Sequence, residues 1–298
     1  MRFFLIRFLF FCKVKVMKKN SIKRLKRVPF QISYIIREFF RKYFFMKITY
    51  KFPQYSPHVG GKGLKFDKAT EFNIQNLVNL ISDISTKFKP TQIIKLDELE
   101  IKSEFYKEIA DIFNKNGSDK SWQGKYEKIY AFIFENLVTD PQKILEIGIG
   151  SKNKKYLSYM GKNEKTGASL MSFKKLFPSS IIYGADIDID TIDIFAKEDI
   201  EIHFVDQMNP QSVEGLFNKF DFNFDLIIDD GLHLESSNLL VMIHGLKKLN
   251  KNGCMVIEDI GHSAFKTWNI VSNLLNSNFK SYFIQRENLG YCFIIQKI

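Results

Sequence analysis

The sequence predicts an α/β fold in which a doubly wound, mostly parallel sheet of seven strands follows a small helical cap. From residue 143 onward, short apolar runs that are too brief for helices alternate with helical stretches. Two of these runs, at 224–230 and 254–259, stop abruptly at paired acids, as buried parallel strands do at the edge of a sheet. The last two runs flank Glu287-Asn-Leu-Gly290, which is typical of a hairpin turn. Five parallel strands with crossovers and a terminal antiparallel hairpin give this architecture.

The chain begins with a basic and aromatic segment at residues 1–51. It holds 15 Lys/Arg and one acid, Glu38, so it carries more positive charge than the net +11 of the whole chain. Its apolar runs are too short to span a bilayer. Residues 1–45 therefore predict either a peripheral membrane contact, with aromatic side chains in the interface and Lys/Arg facing anionic lipid, or a poorly ordered extension ahead of a true start at Met17 or Met46.

Residues 52–118 are predicted to form the helical cap region, and residues 119–298 the main domain. A Pro- and Gly-rich stretch at 51–68 is typical of a linker. Apolar residues recur at helical spacing over three segments, which are 70–88, 97–115 and 124–137. Gly117 is predicted to cap the second of these helices at its C-terminus.

Strands and helices then alternate to the end of the chain. The predicted strands are 143–148, 181–186, 201–205, 224–229 and 254–258, followed by hairpin strands at 282–286 and 291–296. The predicted crossover helices are 167–177, 189–197, 210–220, 235–249 and 263–277. Ligands of such sheets lie outside the carboxyl ends of the strands, so functional residues are expected there.

Glycines at the end of the first of these strands indicate a nucleotide-type cofactor. The element Glu146-Ile-Gly148-Ile-Gly150 lets the backbone turn sharply and approach a ligand closely. A dinucleotide fingerprint would need a third glycine where this chain has Asn153, which disfavours a pyrophosphate cradle. Asp186 and Asp206 follow the next two strands, where they could bind ribose hydroxyls and the adenine amine. The combination favours S-adenosylmethionine, although either acid taken alone could equally be a helix cap.

Paired acids end the next two strands of the predicted sheet. Asp229 and Asp230 are followed by His233, and Glu258 and Asp259 close the neighbouring strand. Burying several carboxylates is costly unless a cation neutralises them, and oxygen ligands from Asp230, Glu258 and Asp259 favour magnesium or manganese over zinc. His233 would then serve as general base toward a substrate hydroxyl. The alternative is that the acids cap helices and the histidine merely caps or packs.

The cysteine pattern and the distribution of charge limit compartment and partners. Cys12, Cys254 and Cys292 form neither a disulfide framework nor a zinc motif, which indicates a reducing, cytoplasmic compartment, at the inner face of the membrane if residues 1–45 are an anchor. No nucleic-acid partner is expected, because the excess positive charge is confined to the N-terminal segment and no RNA-binding or base-flipping motif is present. A homo-oligomer is compatible with the sequence.

Several stretches resemble the macrocin O-methyltransferase family, metal-dependent class I enzymes that use S-adenosylmethionine to methylate sugar hydroxyls. The resemblance runs from about Asn116 to the C-terminus. It rests on Gly117-Ser-Asp-Lys120 with Tyr126 and Tyr130, then on LEIGIG, GASLMSFKKLFPSSIIYGADID, VDQ, FDLIIDDGLH and VIEDI, in the order and spacing of the family. The chain departs at Leu232, where members often have Ser, and in its N-terminal part, which commonly covers the acceptor pocket.

The resemblance implies a Rossmann-like fold and a role for each matching residue. Asp230, Glu258 and Asp259 would hold magnesium, and His233 would act as the base. The implied cofactor contacts are Glu146, Gly148, Gly150, Ser169, Asp186, Asp206, Gln207 and Asp229. The implied reaction is methylation of a hydroxyl on a sugar, a glycan precursor or a glycosylated metabolite.

Two other functions are open at this point. One is a membrane-associated protein that binds the cofactor without turnover, against which the intact set of acids and histidine argues. The other is a nucleic-acid methyltransferase recruited by the basic segment. Its phosphate binding would fall steeply with rising ionic strength, and deletion of residues 1–45 would abolish it.

Overall fold

The computed structural model describes residues 91–298, apart from gaps at 122–123, 155, 157–158, 160–164, 193–194, 196–197 and 288. The basic segment, the linker and the first helix were predicted within residues 1–90. These residues lie outside the described part of the chain. Within the described ranges, no helix is both long and apolar enough to cross a bilayer.

The described residues form eight strands and six α-helices. The strands are β1 (Ile93–Lys95), β2 (Lys143–Ile147), β3 (Ile181–Asp186), β4 (Ile200–Phe204), β5 (Phe224–Asp229), β6 (Leu249–Ile260), β7 (Phe279–Gln285) and β8 (Tyr291–Lys297). The helices are α1 (Phe105–Asn116), α2 (Tyr126–Asn136), α3 (Ala168–Leu176), α4 (Pro210–Asn218), α5 (Glu235–Gly245) and α6 (Phe265–Leu274).

The strands lie in a single sheet with the order β1-β7-β8-β6-β5-β2-β3-β4. Strands β4, β3, β2, β5 and β6 pair in parallel, whereas β8 runs antiparallel to both of its neighbours, β6 and β7. The predicted doubly wound, mostly parallel sheet and its terminal hairpin are therefore confirmed.

The sheet has one strand more than the seven predicted. The additional strand is β1, which pairs in parallel with residues 283–285 of β7 at the edge of the sheet. A run of three residues is too short for a periodicity argument. The strand forms because the outer edge of β7 presents backbone donors and acceptors that another strand can pair.

Alternate residues of the central strands point to opposite faces of the sheet, and helices cover each face. Leu226, Ile228 and Val256 pack with buried residues of α1, α2 and α3. Ile227 and Met255 pack on the other face with residues of α4, α5 and α6. Strands buried on both faces have continuous apolar runs, which explains the sequence pattern. The helices α1 and α2 thus pack directly on the sheet.

The helix predicted at 97–115 is shorter than expected. Residues Leu96–Glu98 form a 3-10 turn, and the helix begins only at Phe105. The intervening segment is held by the end of α2, where the Lys102 N–H donates to Glu135 Oε2 at 2.5 Å. This tertiary contact competes with the helical hydrogen bonds that the apolar spacing predicted.

Other element ends also differ from the sequence prediction. Of the helix predicted at 189–197, the described residues contain a 3-10 turn at Ile189–Thr191. The helix predicted at 235–249 ends at Gly245, because Leu249 already belongs to β6. Gly117 ends α1 in the left-handed conformation, with a φ of 79°, which confirms the predicted cap.

Candidate active site

The sequence-predicted site residues meet at the carboxyl edge of the sheet. Asp186 and Asp229 are the last residues of β3 and β5, and Glu146 lies next to the end of β2. Glu258 and Asp259 lie near the end of β6. Since β3, β2, β5 and β6 are consecutive neighbours in the sheet, their carboxyl ends form one continuous edge.

Two glycines allow the loop after β5 to lie close to the loops after β2 and β4. Gly148 has a φ of 88°, and a Cβ at this position would lie 2.3 Å from the carbonyl oxygen of Asp230. A Cβ at Gly231 would lie 1.9 Å from Oε1 of Gln207. Neither position can accept a side chain without moving its neighbours. The glycines therefore determine how closely these loops pack.

Asp186 holds the loop that contains the glycines. Its Oδ2 accepts hydrogen bonds from the backbone N–H groups of Ile149 (3.1 Å) and Gly150 (3.2 Å). Burial raises the pKa of Asp186, and these backbone hydrogen bonds oppose the shift. Asp188, to which the sequence analysis gave no role, is also buried and accepts a hydrogen bond from the Ser151 hydroxyl. The two carboxylates together tie the glycine loop, residues Gly148–Ser151, to the end of β3.

Two other predicted cofactor residues have well-defined local partners. The Ser169 hydroxyl donates to Oε2 of Glu146 at 2.5 Å, and both side chains are buried. Asp206 is half-buried, and its Oδ1 accepts from the N–H of Met208 at 2.9 Å, as in a turn. Ser169 therefore lies in the first turn of α3 beside Glu146 of β2, and Asp206 lies in the short connection between β4 and α4.

Gln207 links the loop after β4 to the loop after β5. Its Nε2 donates to Oδ1 of Asp229 at 2.7 Å, and its Oε1 accepts from the N–H of Leu232 at 2.8 Å. The other oxygen of Asp229 accepts from Nδ2 of Asn238 at 2.9 Å. Asp229 is fully buried, so both of its carboxylate oxygens are engaged with protein groups. Burial raises the pKa of Asp229, and the hydrogen bonds from Asn238 and Gln207 oppose it.

Asp230, Glu258 and Asp259 form an acid cluster at the ends of β5 and β6. The ligand atoms of Asp230, His233 and Asp259 all lie within 4.8 Å of one another. His233 Nε2 is 3.8 Å from Asp230 Oδ1 and 3.9 Å from Asp259 Oδ2. His233 and Asp259 both have left-handed backbone conformations, with φ values of 55° and 52°. The four predicted metal and base residues are therefore neighbours, but Glu258 is not part of the set that could share one ion.

Lys120 is a buried cation in contact with the acid cluster. Its Nζ lies 2.6 Å from Asp230 Oδ2, 2.6 Å from Glu258 Oε2 and 3.4 Å from Glu146 Oε1. Its side chain is only 3% exposed. Burial opposes its charge, but the three carboxylates outweigh burial and raise the pKa of Lys120 well above its ordinary value. Lys120 is therefore charged.

Two tyrosines and an arginine fix the acids of β6. Tyr126 OH donates to Asp259 Oδ1 at 2.9 Å and accepts from the Asp259 N–H at 2.9 Å. Tyr130, one helical turn further along α2, donates to Glu258 Oε1 at 2.5 Å. The buried Arg286 donates through Nη2 to Asp259 Oδ1, and its guanidinium lies 4.2 Å from the centre of the Tyr126 ring. The side chains of the β6 acids are thus held from α2 and from the turn between β7 and β8.

The acids of the cluster differ in the direction of their pKa shifts. Burial raises the pKa of Asp230 to about 7 and that of Glu258 to about 8, while Lys120 opposes both shifts. One ammonium does not neutralise several buried carboxylates, so the net effect of burial remains. At Asp259 burial acts in the same direction, but Arg286 and His233 outweigh it, and the pKa of Asp259 is lowered.

A cavity of about 350 Å³ opens beside the acid cluster, a size within the range of small-molecule sites. It is lined by Asp119, Lys120, Gly124, Tyr126, Asp230, Glu258, Asp259, Arg286 and Leu289. The donor set at its wall fits a hard divalent cation, because carboxylate oxygens of Asp230 and Asp259 face the same point.

The sequence analysis assigned no role to Lys120, Tyr126, Tyr130 or Arg286. The first three lie within stretches that carry the family resemblance, and the i, i+4 spacing of the tyrosines places both on one face of α2. That spacing could have indicated a shared target. Nothing near Arg286 in the sequence indicates that the hairpin turn folds back toward α2.

Comparison with known proteins identifies a curated relative and solved structures of similar fold. No protein-family profile matches the chain. It is 27% identical over 158 residues to the 8-demethyl-8-alpha-L-rhamnosyl tetracenomycin-C 2'-O-methyltransferase of Streptomyces olivaceus, which covers 51% of this chain and 37% of that protein. The predicted resemblance to sugar O-methyltransferases is confirmed by this relative.

The fold is similar to that of the MycE methyltransferase from the mycinamycin biosynthetic pathway. The structure of MycE with Mg, SAH and mycinamycin VI has a TM-score of 0.50 and 18% identity, and the match covers 63% of this chain and 54% of that one. A second MycE structure, with Mg and SAH, gives a TM-score of 0.50 at 19% identity, with coverages of 63% and 53%. The chain thus has a class I methyltransferase fold, and it spans about a third of the length of the curated relative and half that of MycE.

Proposed function

We propose that this chain is an S-adenosylmethionine-dependent, magnesium-assisted O-methyltransferase that acts on a hydroxyl of a sugar, a glycan precursor or a glycosylated metabolite. The observation that carries the proposal is the convergence of Asp230, His233 and Asp259 next to the glycine loop, in a chain similar to a rhamnosyl 2'-O-methyltransferase. A nucleophile and a methyl donor held at the same sheet edge are the main requirement of methyl transfer.

The cofactor is proposed to bind along the ends of β2, β3 and β4. The residues assigned to it are Glu146, Gly148, Gly150, Ser169, Asp186, Asp206 and Gln207. The left-handed glycines of the loop after β2 support this, because positions without a Cβ let the backbone of the loop approach a bound ligand closely. Asp229 is proposed to position Gln207 for the cofactor, because it accepts a hydrogen bond from the amide of Gln207.

Asp230 and Asp259 are proposed to hold the divalent cation, joined by Glu258 as the third carboxylate. Bound magnesium or manganese would supply Lewis acidity toward the acceptor hydroxyl. The roles of the protein groups follow from their positions. Arg286 and Tyr126 both bind Oδ1 of Asp259. The other oxygen, Oδ2, lies near His233 Nε2.

His233 is proposed as the general base, with Nε2 receiving the hydroxyl proton. Asp230 Oδ1 and Asp259 Oδ2 lie 3.8 and 3.9 Å from this nitrogen, so the imidazole borders the acid cluster. The side chain of His233 is 35% exposed, which allows contact with a substrate. S-adenosylmethionine, held by the cofactor residues, would supply the methyl group to the oxygen that loses the proton, and S-adenosylhomocysteine would be the leaving group.

The proposed location is the cytoplasm, at the inner face of the membrane if residues 1–45 bind lipid. Two observations support this proposal. Cys254 and Cys292 are free thiols buried in the core, as expected in a reducing compartment. The Lys/Arg of the N-terminal segment suit an anionic lipid surface.

Calorimetry and an acceptor screen test the proposal together. We expect S-adenosylmethionine to bind in the micromolar range or tighter, and magnesium to be required for methyl transfer to members of a panel of nucleotide sugars and glycosylated metabolites. Absence of cofactor binding would refute the methyltransferase assignment. Full activity in excess chelator would refute the requirement for a divalent cation but would not affect the assignment of the cofactor site.

A further inference from the structure

Lys120 occupies a fixed position inside the site. The loop that carries it follows α1 and is closed by backbone hydrogen bonds, from Gly124 N–H to the carbonyl of Asp119 (3.0 Å) and from Tyr126 N–H to the carbonyl of Lys120 (2.7 Å). Its ammonium contacts carboxylates from three strands, Glu146 of β2, Asp230 after β5 and Glu258 of β6. The fold therefore places one positive charge where the predicted metal ligands meet.

The oxygens of the acid cluster are divided between cations and the open side of the site. Oδ2 of Asp230 contacts Lys120, and its Oδ1 lies toward His233. Asp259 gives Oδ1 to Arg286 and turns Oδ2 toward His233. Glu258 differs, since Oε2 contacts Lys120 and Oε1 accepts from Tyr130. Both oxygens of Glu258 are therefore already engaged, and Lys120 lies on the one that Tyr130 does not occupy.

We propose that Lys120 is a built-in competitor of the divalent cation, whose ammonium must leave Glu258 and Asp230 before Glu258 can become a metal ligand. This inference rests on the proposed function, because it concerns the metal of that same site. It adds a positioning residue that sets how tightly the metal binds.

Glu146 gives the displaced ammonium a place to go. Glu146 is fully buried, and among the described residues its Oε1 has only the long contact of 3.4 Å with Lys120 Nζ. Movement of the ammonium toward this oxygen would satisfy both groups without exposing the charge. Glu146 also accepts from Ser169 in the proposed cofactor site, so the same movement would connect the metal site to the cofactor site.

Repulsion between the Lys120 ammonium and the divalent cation determines how Lys120 changes the affinity for metal. A divalent cation and an ammonium that share Asp230 and Glu258 would be a few ångströms apart, and such charges repel strongly in a partly buried site. Removing the ammonium while keeping the shape of the side chain should therefore tighten metal binding by about tenfold or more.

The test is Mn²⁺ binding measured by electron paramagnetic resonance, without cofactor, on the full chain and on Lys120→Met. We expect Lys120→Met to bind Mn²⁺ at least about tenfold more tightly than the unmodified protein. Lys128→Met is the matched control, because Lys128 pairs with Asp97 at the surface. Its Mn²⁺ affinity should equal that of the unmodified protein.

Unchanged or weaker Mn²⁺ binding by Lys120→Met, with the control unaffected, would overturn the competition while leaving cofactor binding and methyl transfer, measured separately, as evidence for the proposed function. No Mn²⁺ binding by the unmodified protein would overturn both proposals. If Lys120→Met does not fold, the crystal structure of the unmodified protein with Mn²⁺ decides. Lys120 Nζ should then lie beyond about 4 Å from the Glu258 carboxylate, and an unbroken ion pair with bound Mn²⁺ would overturn the inference.

Discussion

The glycine loop and the acid cluster lie at the same edge of the sheet, yet they hold buried carboxylates in different ways. Asp186 is buried, and one of its oxygens accepts hydrogen bonds from two backbone N–H groups of the glycine loop. Asp230 and Glu258 are bound by the ammonium of Lys120. Backbone donors belong to the fold, whereas a lysine side chain can move.

This difference indicates a division of work between the two regions. A carboxylate held by the backbone keeps its position whatever ions are present, which suits a site that recognises an organic cofactor. Carboxylates held by a side-chain cation can exchange that cation for a metal, so their geometry depends on ionic conditions. Variants in the two regions should therefore separate cofactor binding from metal binding and turnover.

The largest effect is expected from His233→Ala. Loss of the proposed base should lower kcat by about 10³-fold, within the range typical of general base catalysis, because no described neighbour replaces the imidazole between Asp230 and Asp259. Calorimetry should show unchanged affinity for S-adenosylmethionine, since His233 is assigned to the acid cluster and not to the cofactor residues. A variant that loses cofactor binding would show that the imidazole has a structural role.

The second largest effect is expected in the pH dependence of stability, which the acid cluster determines. Folding raises the pKa of Glu258 from 4.5 to about 8 and that of Asp230 from 3.8 to about 7, so the folded state holds more protons than the unfolded state between these values. The free energy of unfolding should therefore fall as pH rises from 5 to 8, by roughly a few kcal/mol. Urea unfolding in the presence of chelator measures this.

The glutamine variant of Glu258 isolates its share of that dependence. Glu258→Gln cannot titrate, so the slope of stability against pH should become shallower than in the unmodified protein. The lowered pKa of Asp259 affects stability only in more acidic solution and does not enter this window. A slope that is unchanged in the variant would show that Glu258 is ionised throughout.

The fold was predictable from the sequence because its signal is local and repeated. The runs at β2, β5 and β6 are buried on both faces, and their apolar residues are therefore continuous in the sequence. The edge strand β1 was not predictable, because its three residues pair with β7 only after the chain has folded. The late start of α1 at Phe105 depends in the same way on a partner, Glu135, that lies far along the chain.

The candidate site was predictable as a list of residues but not as a set of contacts. Acids at the ends of β5 and β6 indicated a cation, and the structure brings Asp230 and Asp259 together as expected. The sequence could not show that Lys120, 110 residues before Asp230, would supply a positive charge there. Which cation neutralises a buried acid depends on long-range packing, and no local pattern encodes it.

The smallest effect is expected from Asp186→Asn, which tests the glycine loop side alone. The asparagine keeps one oxygen but replaces the other with an NH₂ group, so it cannot accept both from the N–H groups of Ile149 and Gly150 and from the N–H of Asp188. Calorimetry should show affinity for S-adenosylmethionine weakened by about tenfold, the equivalent of a hydrogen bond or two. Mn²⁺ affinity should be unchanged, because Asp186 does not contact the acid cluster.

Asp225→Asn is the matched control for this prediction. Asp225 also accepts two backbone N–H groups, from Gln142 at 2.8 Å and Lys143 at 3.0 Å, but it does so at the opposite end of the sheet, near the start of β5. Its asparagine variant should lose comparable stability with no change in cofactor affinity. If both variants weaken cofactor binding equally, the effect of Asp186 comes from general destabilisation, and the contrast between the glycine loop and the acid cluster fails.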